Sequence, residues 1–290
     1  MTAEVGFETL VQESRLKRTR RSAARKPLLI AGCAMLGVIV TMGVLAPVLT
    51  PYDPIAQSPN ELLLAPGTPG HMLGTDQFGR DIYTRSLYAI RLNLTIGFVG
   101  VLLPLGLGVL LGAAAGYLRG WPETIIMRTL DILVAFPSYV FLIALVAVLG
   151  PSIINLLIAL TIFGWTAYAR LVRGELLSVR EKEYILAAEG LGFSSRRVVA
   201  RHVMPNVITP AIVFAMADIV LTILATASLS YLGLGVPAPT PEWGQMIHEG
   251  QNYILNAWWL VTIPGLFIVA TGVALSLIGD GVAAHLRVDS

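Results

Sequence analysis

The chain has 290 residues, of which 55% are hydrophobic and 13% charged, with a formal net charge of +2. A soluble domain carries about 25% charged residues, so this composition cannot cover a water-facing surface and excludes an ordinary soluble fold. It suits a chain whose main solvent is lipid, and its length then reads as a number of membrane spans.

The tail of residues 1–27 concentrates Arg15, Lys17, Arg18, Arg20, Arg21, Arg25 and Lys26. The run from Leu28 to Leu49 follows, uncharged and about 22 residues long, enough to cross a bilayer. A secretory signal has an apolar core of about 7–15 residues, so residues 28–50 are expected to be a retained first transmembrane helix. Cys33 is the one cysteine and leaves no intrachain disulfide or Cys-based zinc site. His71, His202, His248 and His285 lie too far apart in sequence for a helix-borne metal pair.

Residues 51–93 read as a polar loop. Apolar runs then recur at Leu94 to Leu118, Ile132 to Leu149 (interrupted by Pro137), Ile153 to Ala169, Val207 to Val236 and Trp258 to Ile278. The expected architecture is an all-α polytopic membrane protein with six transmembrane helices and both ends on one side. Arg170, Arg173, Arg180, Lys182, Arg196, Arg197 and Arg201 crowd one connection, whereas residues 237–256 contain no Lys or Arg. By the positive-inside rule the N-terminal tail, the 170–201 connection and the end at 287–290 are expected in the cytoplasm. The 51–93 and 237–256 segments then face outward.

Within the basic connection, Tyr184, Ala187, Ala188 and Leu191 share one helix face. Gly192 stops that helix as a left-handed C-terminal residue does. Ser194 or Ser195 caps a second short helix whose apolar side holds Val198, Val199 and Val203, and Pro205 ends it. Three readings fit: a solvated loop, a DNA-reading helix-turn-helix, or a docking element for a cytoplasmic partner. Tethering to membrane spans at both ends argues against DNA, and two apolar faces ask for a surface to cover them.

Read from Leu186, the spacing is Leu-Ala-Ala, three residues, Gly192, nine residues, His202, one residue, then Met204-Pro205. It resembles the EAA loop of ABC-transporter permeases, with Leu186 in place of the usual Glu. "HMLGTDQFGRDIYTRSLYAIR" (His71 to Arg91) resembles the outer-loop signature of the smaller, second permease of dipeptide and oligopeptide importers. "MRTLDILVAFPS" (Met127 to Ser138), "WTAYARLVRGELLSVREKEYILAA" (Trp165 to Ala188), "ASLSYLGLGVPAPTPEWGQMI" (Ala227 to Ile247) and "LIGDG" (Leu277 to Gly281) follow in the family's order. The resemblance covers residues 28–286.

It implies a type I importer permease with its core at 94–286 and cytoplasmic coupling helices at 183–206. The implied ATPase contacts are Tyr184, Ala187, Ala188, Leu191, Gly192, His202 and Pro205, with Arg196, Arg197 and Arg201 facing acidic groups or serving only to orient the loop. Gly74, Asp76, Gly79, Arg80 and Asp81 become the folded outer motif. The implied function is import of short peptides delivered by an extracytoplasmic binding protein. The implied partners are a second permease and one or two ATPase subunits, which hold ATP and Mg; no cofactor is expected in this chain. No G-x-x-x-x-G-K-[ST] phosphate loop occurs in the sequence, so the chain is not expected to be an enzyme.

Three further features are open at this level. Gly108, Gly112 and Gly116 repeat at a spacing that lets helices approach closely, either against a second subunit or within the chain. Asp218 lies deep in the fifth run, where an acid avoids lipid; it either lines a translocation path or makes a structural hydrogen bond. Thr226, where the family commonly carries an acid, is the second candidate for that path. Asp76, Arg80, Asp81, Arg85 and Arg91 alternate in sign, a pattern that allows internal ion pairs that fix the loop; exposed pairs would add below about 1 kcal/mol each. Trp243 suits an interfacial anchor. The same architecture also fits nickel chelates, glutathione or glycosides as cargo. A secondary transporter or channel, or a membrane scaffold, are the rivals of other classes.

Overall fold

The computed structural model describes residues 27–118, 120–183, 185, 190, 193, 195–198, 201 and 203–286. The tail before residue 27 and the end at 287–290 lie outside the described residues. The elements are α1 (Pro27–Val44), α2 (Ala46–Leu49), α3 (Ile82–Leu118), α4 (Trp121–Val134), α5 (Ser138–Leu149), α6 (Ile153–Arg180), α7 (Ser195–Val198), α8 (Met204–Tyr231), α9 (Trp243–Gly250) and α10 (Trp259–Leu286). Among the described residues there is no strand, only two isolated bridges inside the loop that precedes α3.

Among the described residues, five helices are long and apolar enough to cross a membrane: α1, α3, α6, α8 and α10. The pair α4 and α5, bent by 91° at its break, makes a sixth crossing if it is one broken span and a re-entrant loop if it is not. Pro137 thus does more than interrupt a span. Its ring denies a backbone donor and forces Phe136 out of the helical region, so the chain turns a corner.

α3 begins at Ile82, well before the apolar run at Leu94, and continues for 37 residues, about 55 Å. Its first turns carry Thr84, Arg85, Ser86 and Arg91, which made them resemble loop. The first three are buried, and Arg91 folds back on α1 by donating to the carbonyls of Gly43 (2.7 Å) and Val44 (2.8 Å).

α3 packs along α6 more extensively than any other pair. The reason is the small-residue face: a Cβ on Gly112 would stand 2.5 Å from the Ala169 carbonyl oxygen, and one on Gly108 would collide with Tyr168 and Trp165. The glycine repeat therefore serves packing within this chain. α8 and α10 complete the bundle, and α1 and α2 join it where Ile39 and Ala46 share a core cluster with Ile90 and Ala274. One end of the bundle carries the 50–81 loop with α9, here the loop end. The other carries α7 and the arginines, here the basic end.

Candidate functional site

At the loop end, "GTDQFGRD" folds because of its two glycines. Gly74 (φ +79°) and Gly79 (φ +73°) occupy left-handed backbone. A Cβ on Gly79 would collide with the Ser58 carbonyl, and one on Gly74 would sit 2.5 Å from the Leu64 oxygen. The turn brings the Phe78 and Arg80 backbone N–H groups onto Asp76 Oδ1 at 2.8 and 3.0 Å. Asp81 caps α3, accepting from the Thr84 backbone N–H and hydroxyl at 2.7 Å each. Its other oxygen lies 3.0 Å from His71 Nδ1, and Tyr52 stacks on that imidazole with centroids 5.0 Å apart.

The charges of this motif are not surface pairs. Asp76, Arg80 and Arg85 are each at most 3% exposed. Arg80 Nε donates to Asp76 Oδ2 at 2.6 Å, with Arg85 Nε 3.7 Å from the same oxygen. Glu249, on α9, pairs with Arg80 and lies 3.4 Å from Arg85 Nη2. Arg85 also donates to the carbonyls of Pro54 (3.0 Å) and Pro239 (3.3 Å). Two arginines thus face two carboxylates in a balanced, buried cluster that ties the loop, α3 and α9 together. Surface screening does not apply to such a cluster, so the small value of exposed pairs does not hold here; these are internal pairs that fix the loop.

Glu249 is the residue the sequence reading missed. A signal for it existed: residues 237–256 carry two acids and no Lys or Arg, opposite a loop rich in arginine. Trp243 is also corrected. It is fully buried, donates its indole N–H to the Ser86 carbonyl at 3.2 Å and stacks on Phe267, so it is no interfacial anchor. Glu242 caps α9, accepting from Gly244 and Gln245 N–H at 2.9 and 2.8 Å. Burial pushes its carboxyl above the ordinary value, and those two donors pull it partly back.

At the basic end, Arg170 and Arg173 belong to α6 rather than to a loop. Arg173 Nε donates to Glu123 of α4 at 2.8 Å, and Arg170 lies 3.9 Å from Asp131. Of the expected ATPase contacts, Tyr184, Ala187, Ala188, Leu191, Gly192 and His202 lie outside the described residues. Arg196 falls on α7. Arg197, Arg201 and Pro205 are exposed. Ile185, Val198 and Val203 are buried against Val172, Leu176, Val179 and Val207, so part of the apolar side is covered by α6 and α8 themselves. Pro205 does not end a separate helix. It sits in the first turn of α8, where its missing N–H is unneeded. Phe193, exposed beside the Arg197 guanidinium at 5.8 Å, joins this surface and was not anticipated.

Within the bundle, the Tyr168 hydroxyl donates to Asp218 Oδ2 at 2.7 Å, and Phe214 packs edge-on against the tyrosine ring. Asp218 is half-buried. Thr226 is buried with no hydrogen-bond partner for its hydroxyl. It lies about 12 Å further along α8, so the two path candidates do not form one site.

The comparisons with known proteins cover most of the chain. A family model described as "Binding-protein-dependent transport system inner membrane component" matches residues 108–288. A second, "N-terminal TM domain of oligopeptide transport permease C", matches residues 14–66. A dipeptide transport system permease protein of Alkalihalophilus pseudofirmus is 40% identical, over 89% of this chain and 84% of its own length. A di/tripeptide transport system permease protein of Pseudomonas aeruginosa is 39% identical, over 94% and 92%. A probable D,D-dipeptide transport system permease protein of Escherichia coli is 37% identical, over 92% and 91%. Among solved structures, an amino acid ABC transporter with histidines superposes with a TM-score of 0.56 at 13% identity, covering 70% of this chain and 93% of that one. The MetNI methionine ABC transporter in inward-facing conformations gives 0.52 at 17%, covering 71% and 93%. The bundle has the type I importer permease fold, and the chain belongs to the family of binding-protein-dependent transport system inner-membrane components.

Proposed function

We propose that the chain is the smaller permease subunit of an ATP-driven importer that passes short peptides from an extracytoplasmic binding protein across the membrane. The observation that carries this reading is its alignment, over nearly its whole length, with permeases named for dipeptide and di/tripeptide transport. The loop end faces outward, where the binding protein docks, and the basic end faces the cytoplasm together with both termini. ATP and Mg belong to separate ATPase subunits, and a second permease closes the path.

Residues 183–206 are the coupling element. Its exposed Phe193, Arg197 and Arg201 meet the ATPase, while Ile185, Val198 and Val203 are rooted between α6 and α8. A push on the element therefore moves those helices as rigid bodies. Asp218 and Thr226 are assigned to the path, Asp218 offering a carboxylate to a peptide amine with Tyr168 holding its orientation.

The test is ATP-dependent peptide uptake by vesicles containing the assembled importer. Gly192→Arg is expected to abolish both uptake and co-purification of the ATPase; normal docking and uptake in that variant would remove the coupling assignment. In the same vesicles Asp218→Asn is expected to reduce uptake severalfold with the ATPase still bound. Unchanged uptake would leave Asp218 a purely structural residue. Uptake of a nickel chelate, glutathione or a glycoside in place of peptide would keep the permease and change the cargo.

A further inference from the structure

Where the first apolar run ends, the loop end carries an open cavity of about 310 Å³. Leu49, Thr50 and Tyr52 line it from the chain around the end of α2, Met72 from the loop, and Asp81 and Tyr83 from the head of α3. Small-molecule sites begin at about 300 Å³, and this space would hold about ten waters at about 30 Å³ each. Arg80, Arg85 and Glu249 do not line it, so it is distinct from the buried charge cluster. It also involves neither Asp218 nor Thr226.

Its depth follows from the sequence. Leu49 is the last residue of the uncharged run that begins at Leu28. As helix, about 22 residues span about 33 Å, close to a hydrocarbon layer of about 30 Å. The cavity therefore opens where hydrocarbon gives way to headgroups. Its surroundings agree. Val44, Val48, Leu49 and Met72 are all exposed, Val48 at 83%. Tyr52 and Tyr83 are of the amphipathic aromatic kind enriched at that boundary.

Its charge has one sign. Of the residues that line it, Asp81 alone is charged. His71 lies 3.0 Å from Asp81 and 3.5 Å from Glu61. Two carboxylates flank one imidazole, so the group is net negative whichever way the ring is protonated. Asp81 Oδ1 is held by the Thr84 backbone N–H and hydroxyl, whereas Oδ2 meets the His71 ring and has room for a second donor. A carboxylate beside two tyrosines suits an ammonium group, which donates to the oxygen and is attracted to aromatic faces. An anionic headgroup would be repelled. A peptide amine shares the chemistry but arrives from water, and would leave Val48 and Leu49 wet. A lipid covers both with its chains while its headgroup enters the cavity.

We propose that this cavity binds the primary ammonium headgroup of a phospholipid of the phosphatidylethanolamine class, in the leaflet at the loop end. The lipid bridges the end of α2 and the head of α3, the two elements that line the cavity. The site requires only that the first span leaves the bilayer at Leu49, and so does not depend on the cargo.

The experiment uses the assembled complex containing the full chain, in nanodiscs of equal parts phosphatidylethanolamine and phosphatidylglycerol. After mild extraction, native mass spectrometry counts the lipids that stay bound. Wild type is expected to retain one more phosphatidylethanolamine than Met72→Lys, in which a tethered ammonium takes the place of the headgroup. Met72 is 63% exposed, so this change leaves packing intact. Tyr83→Ala, which removes an aromatic wall, is expected to lower retention severalfold, and Met72→Leu to preserve it. Thermal unfolding checks that each variant is folded. Equal retention by wild type and Met72→Lys overturns the proposal. So does a wild type that holds phosphatidylglycerol as well as phosphatidylethanolamine at the position Met72→Lys clears, a comparison of lipids that needs only one folded variant. Displacement of the lipid by an added dipeptide would make the cavity a cargo site and overturns it as well.

Discussion

Glu249→Ala is expected to destabilise the folded chain by about 3–5 kcal/mol, the range for removing one partner of a buried, hydrogen-bonded charge pair. Glu249 faces both Arg80 and Arg85, and its side chain is only 11% exposed. Without it, two buried guanidinium groups share the single carboxylate of Asp76. The cluster also joins the 50–81 loop to α9, so its loss should loosen the whole loop end, not one side chain. Thermal unfolding in lipid nanodiscs is the measurement, with Glu249→Gln as the shape-preserving variant that removes charge but keeps an acceptor. Gln should fall between wild type and Ala. An Ala variant that unfolds like the wild type would mean that water or a rearranged Asp76 already serves both arginines.

Gly112→Leu is expected to prevent close packing of α3 on α6. Overpacking of an interior costs about 1–3 kcal/mol when side chains can shift. Here the obstacle is backbone: an added Cβ stands 2.5 Å from the Ala169 carbonyl oxygen and 2.9 Å from its Cα. No rotamer change relieves that contact, so the two helices must separate, and the effect should exceed that range. Gly106→Leu, in the same helix but with nothing within 4 Å of its Cβ position, is the control and should be tolerated. The comparison is the fraction of each variant recovered folded from membranes, and its resistance to detergent denaturation. Equal behaviour of the two variants would mean that α3 and α6 are not held at this crossing.

Much of the fold was legible because apolar length is a local property. The spans α1, α3, α6, α8 and α10 each follow from a charge-poor run, and the glycine spacing announced a tight crossing. What the sequence withheld were partners. The first turns of α3 look like loop because Thr84, Arg85 and Ser86 are polar, yet they are buried by groups from Asp81, Glu249 and Trp243. Two of those three lie far along the chain, and no periodicity encodes them. Trp243 looked like a membrane-surface tryptophan for the same reason: composition gives its taste for an interface, but not the Ser86 carbonyl awaiting its N–H. Asp218 was recognised as anomalous for its depth, while Tyr168, its donor, carries no mark in a hydropathy trace. Proline at 137 flagged a break, but not its 91° angle.

The length of α3 has a mechanical consequence. One helix of about 55 Å starts within the charge cluster and ends at the basic end, continuing past the proline inside it, Pro104. Its Asp81 cap and Arg85 are clamped at the loop end, and its glycine face is clamped along α6. Such a helix acts as a lever arm: a tilt of about 10° displaces its far end by about 10 Å over that length. A load at the loop end and a movement at the basic end would then be joined through one continuous helix.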